Sequence, residues 1–131
     1  MTTGERVVPG RDIVAYLANY PQEVAFGTEE PSVLFDLYHT PDFVHCNDGI
    51  PLDRERLLAH VRPARKNAAS VDVDVHDAMV DGDRVAARYT LTAVMRRGQT
   101  IATEIYMFGR IAPDGRLCRI DSVTRTLPSG D

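Results

Sequence analysis

The chain has 131 residues, of which 44% are hydrophobic, and 15 basic residues against 19 acidic ones give a net charge of −4. This length predicts one domain spanning residues 1–131 with a single hydrophobic core. The acidic balance and the lack of a basic stripe argue against nucleic-acid binding, and no apolar run reaches membrane-spanning length. The N-terminus lacks the apolar stretch of a secretory signal, so the two cysteines predict reduced thiols and a cytoplasmic location.

The N-terminal part of the chain predicts a loose tail followed by a helix. Residues 1–10 form the tail, and the helix is expected from about Arg11, which also begins the ordered core of about 11–126. Its apolar stripe has helical spacing and consists of Ile13, Val14, Leu17 and Ala18. Pro21 should break or kink this helix, because proline lacks the backbone donor and its ring crowds the preceding turn. A further turn should close at Gly27, which suits a C-terminal cap.

Two more helices and one strand are predicted before residue 70. Thr28 suits the N-cap of a second helix, which Pro41 should end. A short strand follows at residues 43–47. Asp53 is a suitable N-cap for a third helix, and Pro63 should end or bend it.

The second half of the chain alternates apolar and polar residues as antiparallel strands do. A first strand begins at Val71, and further strands are expected at about 83–96, 99–112 and 116–126. Turn sequences separate them at Asp81-Gly82, Arg97-Gly98 and Pro113-Asp114-Gly115. The tail from Pro128 should be mobile.

Helices followed by a long antiparallel sheet predict an α+β fold. A curved, mostly antiparallel sheet wrapped around three N-terminal helices would form a cone with an apolar pocket at its mouth. A pocket of that kind holds a small molecule.

Three strings of this sequence carry a resemblance to a known family. "LYHTPDFVHCNDG", "VDGDRVAARYTL" and "APDGRLCRIDS" resemble the SnoaL-like branch of the nuclear transport factor two-like superfamily, and their order and spacing extend the likeness over about residues 11–126. The resemblance implies the cone fold, a pocket for a small apolar molecule and, in many members, a homodimer. Members include polyketide cyclases, ketosteroid isomerases, epoxide hydrolases and binding proteins without catalysis, so the fold does not fix the reaction.

Strand alternation predicts which side chains face the pocket, because neighbouring residues point to opposite faces. On the first strand, Phe43, His45 and Asn47 share a face. On the later strands the more apolar alternate set is placed on the concave side. That set contains Val85, Ala87, Tyr89, Leu91, Ala93, Thr103, Ile105, Met107, Cys118, Ile120, Ser122 and Thr124. Glu104 and Asp121 then fall on the convex side, and Asp121 becomes the leading base if that assignment is reversed.

The resemblance also implies what the pocket lacks. Asn47 stands where isomerase-like members carry their general base, Tyr20 lies near their tyrosine donor, and Met107 replaces their acidic donor. Leu91 and Ser122 replace the paired carboxylates of epoxide-hydrolase-like members. Tyr89 stands at the position of the arginine of those members, and His45 and Asn47 stand at the positions of their water-holding tyrosine and asparagine. Every mapped carboxylate is therefore absent from its family position.

His45 is the best acid-base candidate, because histidine titrates near neutral pH. Asn47 could hold a water or a carbonyl group, or it could bond the following turn as strand-end asparagines do. Tyr20 completes the predicted catalytic set. The predicted substrate contacts are Tyr16, Tyr38, Phe43, Tyr89, Leu91, Ile105, Met107, Ile120 and Ser122.

A metal site is not expected, although His39, His45, Cys46 and Asp48 are close in sequence. His45 and Cys46 point to opposite faces of a strand, so both cannot ligate one ion without a bulge. The proposed chemistry needs no cofactor.

Two functions follow from this pattern. The first is a cofactor-free acid-base enzyme, similar to SnoaL-like cyclases and isomerases, with a hydrophobic polycyclic or polyketide-like substrate. The second is a non-catalytic protein that binds or sequesters such a ligand, which the missing carboxylates favour. A scaffold module with a filled cone is a third reading, and apolar residues on both sheet faces predict a homodimer.

Overall fold

A computed structural model describes residues 7–128 of the chain as helices packed on one sheet. The helices are α1 (Ile13–Phe26), α2 (Pro31–Tyr38), α3 (Arg54–Ala59) and α4 (Val61–Asn67). The strands are β1 (His39–Asn47), β2 (Ile50–Asp53), β3 (Ala68–Asp81), β4 (Arg84–Met95), β5 (Thr100–Ile111) and β6 (Leu117–Thr126). No helix within the described residues has both the length and the apolar composition needed to cross a membrane.

The six strands form one sheet in the order β2-β1-β6-β5-β4-β3. All neighbours are antiparallel except β1 and β6, which run parallel. Strands β3 to β6 follow one another as hairpins, and the last of them, β6, lies beside β1, which precedes them in the chain. The predicted α+β cone, with a curved and mostly antiparallel sheet, is confirmed.

The core lies between the concave face of the sheet and the helices. Val85, Ala87, Met107 and Ile120 are buried there against apolar side chains of α1 and α2, as the alternation predicted. The prediction is wrong at the start of β6, where Leu117 is fully buried and Cys118 is only half-buried. The β5–β6 register shifts at that point, and such an irregularity reverses the alternation.

Helix α1 runs without interruption through Pro21, so the predicted break is wrong. Its N-cap is Asp12, whose side chain accepts a hydrogen bond of 3.0 Å from the backbone N–H of Ala15. Tyr16 before Pro21 and Ala25 after it are both buried, and tertiary packing on both sides offsets the cost of the proline. Gly27 caps the helix as predicted.

Helix α2 begins later and ends earlier than the sequence indicated. Its first residue is Pro31, which is favoured at a helix start, and Thr28 is not its N-cap. Because α2 ends at Tyr38 and β1 begins at His39 rather than Phe43, Pro41 lies inside the strand. The β1–β6 register shifts there, and proline is tolerated at such irregularities.

The predicted third helix is two short helices joined at His60. Asp53 caps α3 as predicted, accepting a hydrogen bond of 3.0 Å from the backbone N–H of Arg56. Pro63 does not end the helical region, because it lies in the first turn of α4, where its missing N–H has no helical partner to lose. The short strand β2, which pairs with β1 across the Asp48-Gly49 turn, was not predicted.

The predicted loose tail is wrong for residues 7–10. Pro9 is buried, and the backbone N–H of Gly10 donates a 2.8 Å hydrogen bond to the carbonyl of Gly115. The rest of the N-terminal tail and residues 129–131 lie outside the described residues. Strand β3 begins at Ala68, before the predicted start at Val71.

Candidate functional site

A cavity of about 280 Å³ opens between the helices and the concave face of the sheet. The sheet contributes Phe43, His45, Tyr89 and Ile120. Helix α1 contributes Tyr16, Leu17, Tyr20, Pro21 and Val24. Phe35, His39 and the α3–α4 residues Leu57, His60, Val61 and Ala64 complete the wall. The wall is therefore largely apolar and aromatic, with three histidines and three tyrosines on it.

The structure brings six of the predicted site residues to this wall: Tyr16, Tyr20, Phe43, His45, Tyr89 and Ile120. They come from α1, β1, β4 and β6, which are distant in sequence and meet only because the sheet curls around α1. Alternation correctly predicted the side of the sheet to which the strand residues of this group point.

The other predicted residues do not line the cavity: Tyr38, Asn47, Leu91, Ile105, Met107 and Ser122. Met107 is 2% exposed and fills the core, while Leu91 packs on a separate cluster around Ala25. The hydroxyl of Tyr38 donates a 2.6 Å hydrogen bond to Glu23 instead of facing the cavity. Alternation predicts the face of the sheet on which a strand residue lies, but not how far along the cone it lies. The position along the cone keeps the strand residues of this group away from the cavity wall.

Ser122 and Asn47 lie behind His45 and form a chain of hydrogen bonds with it. The Ser122 hydroxyl donates to Asn47 Oδ1 over 2.8 Å, and its oxygen is 2.8 Å from His45 Nε2. Because the single serine proton is committed to Asn47, Ser122 accepts the proton of His45 Nε2. The neutral imidazole then has its free lone pair on Nδ1. The parallel pairing of β1 with β6, which puts Asn47 beside Ser122, builds this chain.

His45 is held in its uncharged form. Burial lowers the pKa of His45, and the Asp121 carboxylate opposes that shift only in part. Its Nδ1 forms no hydrogen bond to any described residue, and the ring lines the cavity. A neutral imidazole with an open nitrogen on the wall of an apolar cavity can act as a general base.

His39, which had been considered only as a metal ligand, is the most buried histidine on this wall, with 2% of its surface exposed. Its Nδ1 is 2.9 Å from the carbonyl of Phe35, and its Nε2 is 2.7 Å from the hydroxyl of Tyr16. Burial lowers the pKa of His39 to about 4. Strand alternation would not have found it, because Pro41 is exposed and the β1–β6 register shifts between His39 and Val44.

The tyrosines of the wall are held in their protonated form. Burial is the main cause that raises the pKa values of Tyr16, Tyr20 and Tyr89, the last to about 12. The Tyr16 and Tyr20 rings are stacked, with centroids 5.4 Å apart. Neither the Tyr20 nor the Tyr89 hydroxyl bonds another of the described residues, so both can donate to a ligand.

No carboxylate lies on the cavity wall among the described residues. Asp121 is exposed on the convex face and forms a paired contact with Arg119, at 2.9 and 2.8 Å. Glu104 contacts Arg88 and Arg125 on the same face, so both acids lie where the alternation predicted. Within residues 7–128, no group of three histidine, cysteine or acidic side chains is arranged to hold a metal ion.

Comparison with known proteins identifies this architecture. The SnoaL-like domain family matches residues 17–120. A curated protein of uncharacterised function from Schizosaccharomyces pombe is 25% identical over 92 residues, which are 70% of each chain.

Solved structures share the fold at low identity. IdmH from Streptomyces antibioticus, a suggested polyketide cyclase, superimposes with a TM-score of 0.65 at 19% identity, covering 88% of this chain and 91% of that one. An LEH-like epoxide hydrolase from M. tuberculosis gives a TM-score of 0.65 at 17% identity, with 88% and 81% covered. A conserved protein from Planctomyces limnophilus gives 0.64 at 15% identity, with 90% and 95% covered. At these identities the likeness shows the fold alone.

Proposed function

The chain belongs to the SnoaL-like domain family, and on that premise we propose that it is an enzyme of cofactor-free proton transfer on a small neutral carbonyl compound. The observation that supports this most strongly is the uncharged His45, whose Nδ1 is open while Ser122 holds its other nitrogen. The free hydroxyls of Tyr20 and Tyr89 line the same cavity.

The reaction needs a base for a carbon-bound proton and a donor for the carbonyl oxygen. His45 Nδ1 takes the proton from the carbon next to the carbonyl group, and the electron pair of that C–H bond moves onto the oxygen. Tyr20, with Tyr89, donates a hydrogen bond to the oxygen as negative charge develops. The imidazolium then either exchanges this proton with solvent and protonates the same carbon, or delivers it to a conjugated carbon. The products are an exchanged or an isomerised carbonyl compound and the unchanged enzyme.

The size of the cavity narrows the substrate class. An engineered apolar cavity of about 150 Å³ holds benzene, so about 280 Å³ suits a compound of one or two rings. This is smaller than the polycyclic substrate that the sequence indicated. The wall carries no carboxylate among the described residues, and its histidines His39 and His45 are uncharged, so a neutral ligand fits it best.

The test is exchange of the α-protons of 1-indanone, a neutral two-ring ketone, in D₂O. Wild-type protein should accelerate the exchange, and His45→Gln should reduce the rate by about 100-fold or more, which is the lower contribution of a general base. His60→Gln is the matched control, because His60 also lines the cavity but has no role in this scheme. Equal rates for wild type and His45→Gln would contradict the proposal.

A second candidate function is binding or sequestration without catalysis. The absence of a carboxylate from the described cavity wall supports it, because each acid-base set of the enzymes it resembles includes one. This function predicts that 1-indanone binds wild type and His45→Phe with similar affinity, while neither protein exchanges its protons. Calorimetric titration beside the exchange assay separates the two functions.

We also propose that the protein forms a homodimer through the convex face of the sheet. Met79 and Phe108 are 70% and 72% exposed there, and Tyr106 and Val123 are exposed beside them. Several charged side chains of this face pair within the chain: Asp77 with Arg88, Arg119 with Asp121 and Arg125 with Glu104. A second copy turned about an axis along the strands would cover the exposed apolar side chains with its own.

Phe108→Glu tests this interface. The variant should be monomeric by light scattering at a concentration where wild type is dimeric, because a carboxylate would be buried without a partner. Val33→Glu is the control, since Val33 is 54% exposed on α2 and away from this face. A monomeric wild type would refute the dimer.

A further inference from the structure

The hydrogen bond of His39 to the backbone fixes which of its nitrogens carries the proton. A carbonyl oxygen only accepts, so Nδ1, which is 2.9 Å from the carbonyl of Phe35, must be the protonated nitrogen. His39 is 2% exposed and packs against the rings of Phe35 and Phe43. Such burial favours the uncharged ring, in which Nε2 has a lone pair and no proton.

The state of His39 in turn fixes the direction of the hydroxyl of Tyr16. That hydroxyl is 2.7 Å from His39 Nε2, and since this nitrogen can only accept, Tyr16 is the donor of the bond. A phenol has one proton, so Tyr16 has none left for a ligand. Its oxygen lone pairs remain.

Tyr16 therefore differs from the other two tyrosines of the cavity wall. Tyr20 and Tyr89 line the same cavity with hydroxyls that bond no described residue, so they are able to donate. The Tyr16 ring is stacked 5.4 Å from the Tyr20 ring, and Tyr89 lines the same cavity from strand β4. One cavity wall thus carries an acceptor and two donors.

We propose that Tyr16, positioned by His39, is a specificity-determining acceptor, and that the cavity selects ring compounds carrying a hydroxyl group as well as the carbonyl group. The hydroxyl of the ligand donates to the oxygen of Tyr16, and the carbonyl oxygen accepts from Tyr20 or Tyr89. This names the substrate class within the proposed function and rests on it. His39 acts only through Tyr16 and is a positioning residue.

The binding test uses the isomeric ring-hydroxylated 1-indanones, their methyl ethers and 1-indanone itself, measured by calorimetry with wild type and Tyr16→Phe. In wild type, the best hydroxylated isomer should bind about fivefold to tenfold more tightly than its methyl ether, the effect of one net hydrogen bond. In Tyr16→Phe this preference should fall to within about twofold, with 1-indanone, which has no hydroxyl group to donate, as the reference ligand for each protein.

A second measurement needs no variant. Long-range ¹H–¹⁵N spectra of wild type should show His39 protonated at Nδ1 and unprotonated at Nε2 at neutral pH. A proton on Nε2 would make Tyr16 the acceptor of that bond, free its own proton for the ligand, and overturn the inference.

The outcomes also separate this inference from the function on which it rests. Binding of 1-indanone with no preference for a hydroxylated isomer, or a preference that survives in Tyr16→Phe, overturns the inference and leaves the proposed function standing. If no probe binds wild type at all, the proposed function fails and takes the inference with it.

Discussion

Burial of His39 has a consequence for stability in acid. The folded-state pKa of about 4 is below the ordinary value of 6.5, so the unfolded chain takes up this proton first as the pH falls. The contribution of His39 to the free energy of unfolding is therefore fully present above pH 6.5 and is lost between pH 6.5 and about 4. The loss over that range is roughly 3 kcal/mol.

Urea unfolding at several pH values between 7 and 4 measures this loss. The acid-induced decrease in the free energy of unfolding should be smaller in His39→Gln than in wild type, because glutamine does not titrate. Parallel pH dependences for the two proteins would show that His39 is not the group responsible.

Ser122 should influence turnover through His45 without touching the substrate. Ser122→Ala removes the acceptor of the His45 Nε2 proton, whose hydrogen bond measures 2.8 Å, and allows the ring to turn. We expect kcat for 1-indanone exchange to fall about tenfold with little change in KM, the mark of a misplaced catalytic group. Thr126→Ala, an exposed change on the same strand, should leave both constants unaltered, and a Ser122→Ala effect confined to KM would argue against a positioning role.

The sequence predicted that His45 points to the concave face of the sheet, but not which hydrogen-bond partners determine the protonated nitrogen of its ring. Alternation along β1 put His45 on the concave face, and the resemblance drew attention to the same position. Ser122, however, is 77 residues away, and only the parallel β1–β6 pairing brings the two together. A hydrogen bond between distant strands depends on register, which no local pattern supplies.

At the scale of elements, Arg65 joins α4 to the end of α1. Its Nε donates to the carbonyl of Val24 over 2.9 Å, and its Nη1 donates to the carbonyl of Glu29 over 2.8 Å. A guanidinium at a helix C-terminus also complements the helix dipole. Since Val24 and Ala64 both line the cavity, this contact holds together two of its walls.

Arg65→Met keeps the aliphatic stem and removes both donors. We expect a loss of about 2 kcal/mol in the free energy of unfolding, because two carbonyl groups lose a charged partner. Arg62→Met, an exposed change on the same helix, should alter stability by less than about 0.5 kcal/mol. Equal effects in chemical denaturation would mean that the contacts of Arg65 are not stabilising.

Three of the misplaced boundaries share one cause. Proline was taken as a helix terminator at positions 21, 41 and 63, yet it lies inside α1, inside β1 and in the first turn of α4. Proline restricts its own backbone, but packing and position within the element decide whether the element ends. The strands β4 to β6 matched prediction closely, because alternation and glycine turns act locally.

At the scale of the whole molecule, the α+β cone followed from the order of the elements, whereas the cavity did not follow from any of them. Its volume depends on how far α1 and the α3–α4 pair stand from the sheet. The α3–α4 residues Leu57, His60, Val61 and Ala64, which close one side, carry no sequence pattern that distinguishes them from an ordinary core face. For the same reason, the sequence could not show that the predicted contacts Leu91 and Met107 lie away from the cavity wall.

We expect this cavity, and no other surface, to receive the ligand. The most direct measurement is the ¹H–¹³C spectrum of the aromatic rings of wild-type protein during titration with 1-indanone. We expect saturable shifts of the ring signals of Tyr20, Phe43, His45 and Tyr89, with those of Tyr106 and Phe108 unmoved. Shifts confined to Tyr106 and Phe108, or no shifts at concentrations where calorimetry detects binding, would contradict it.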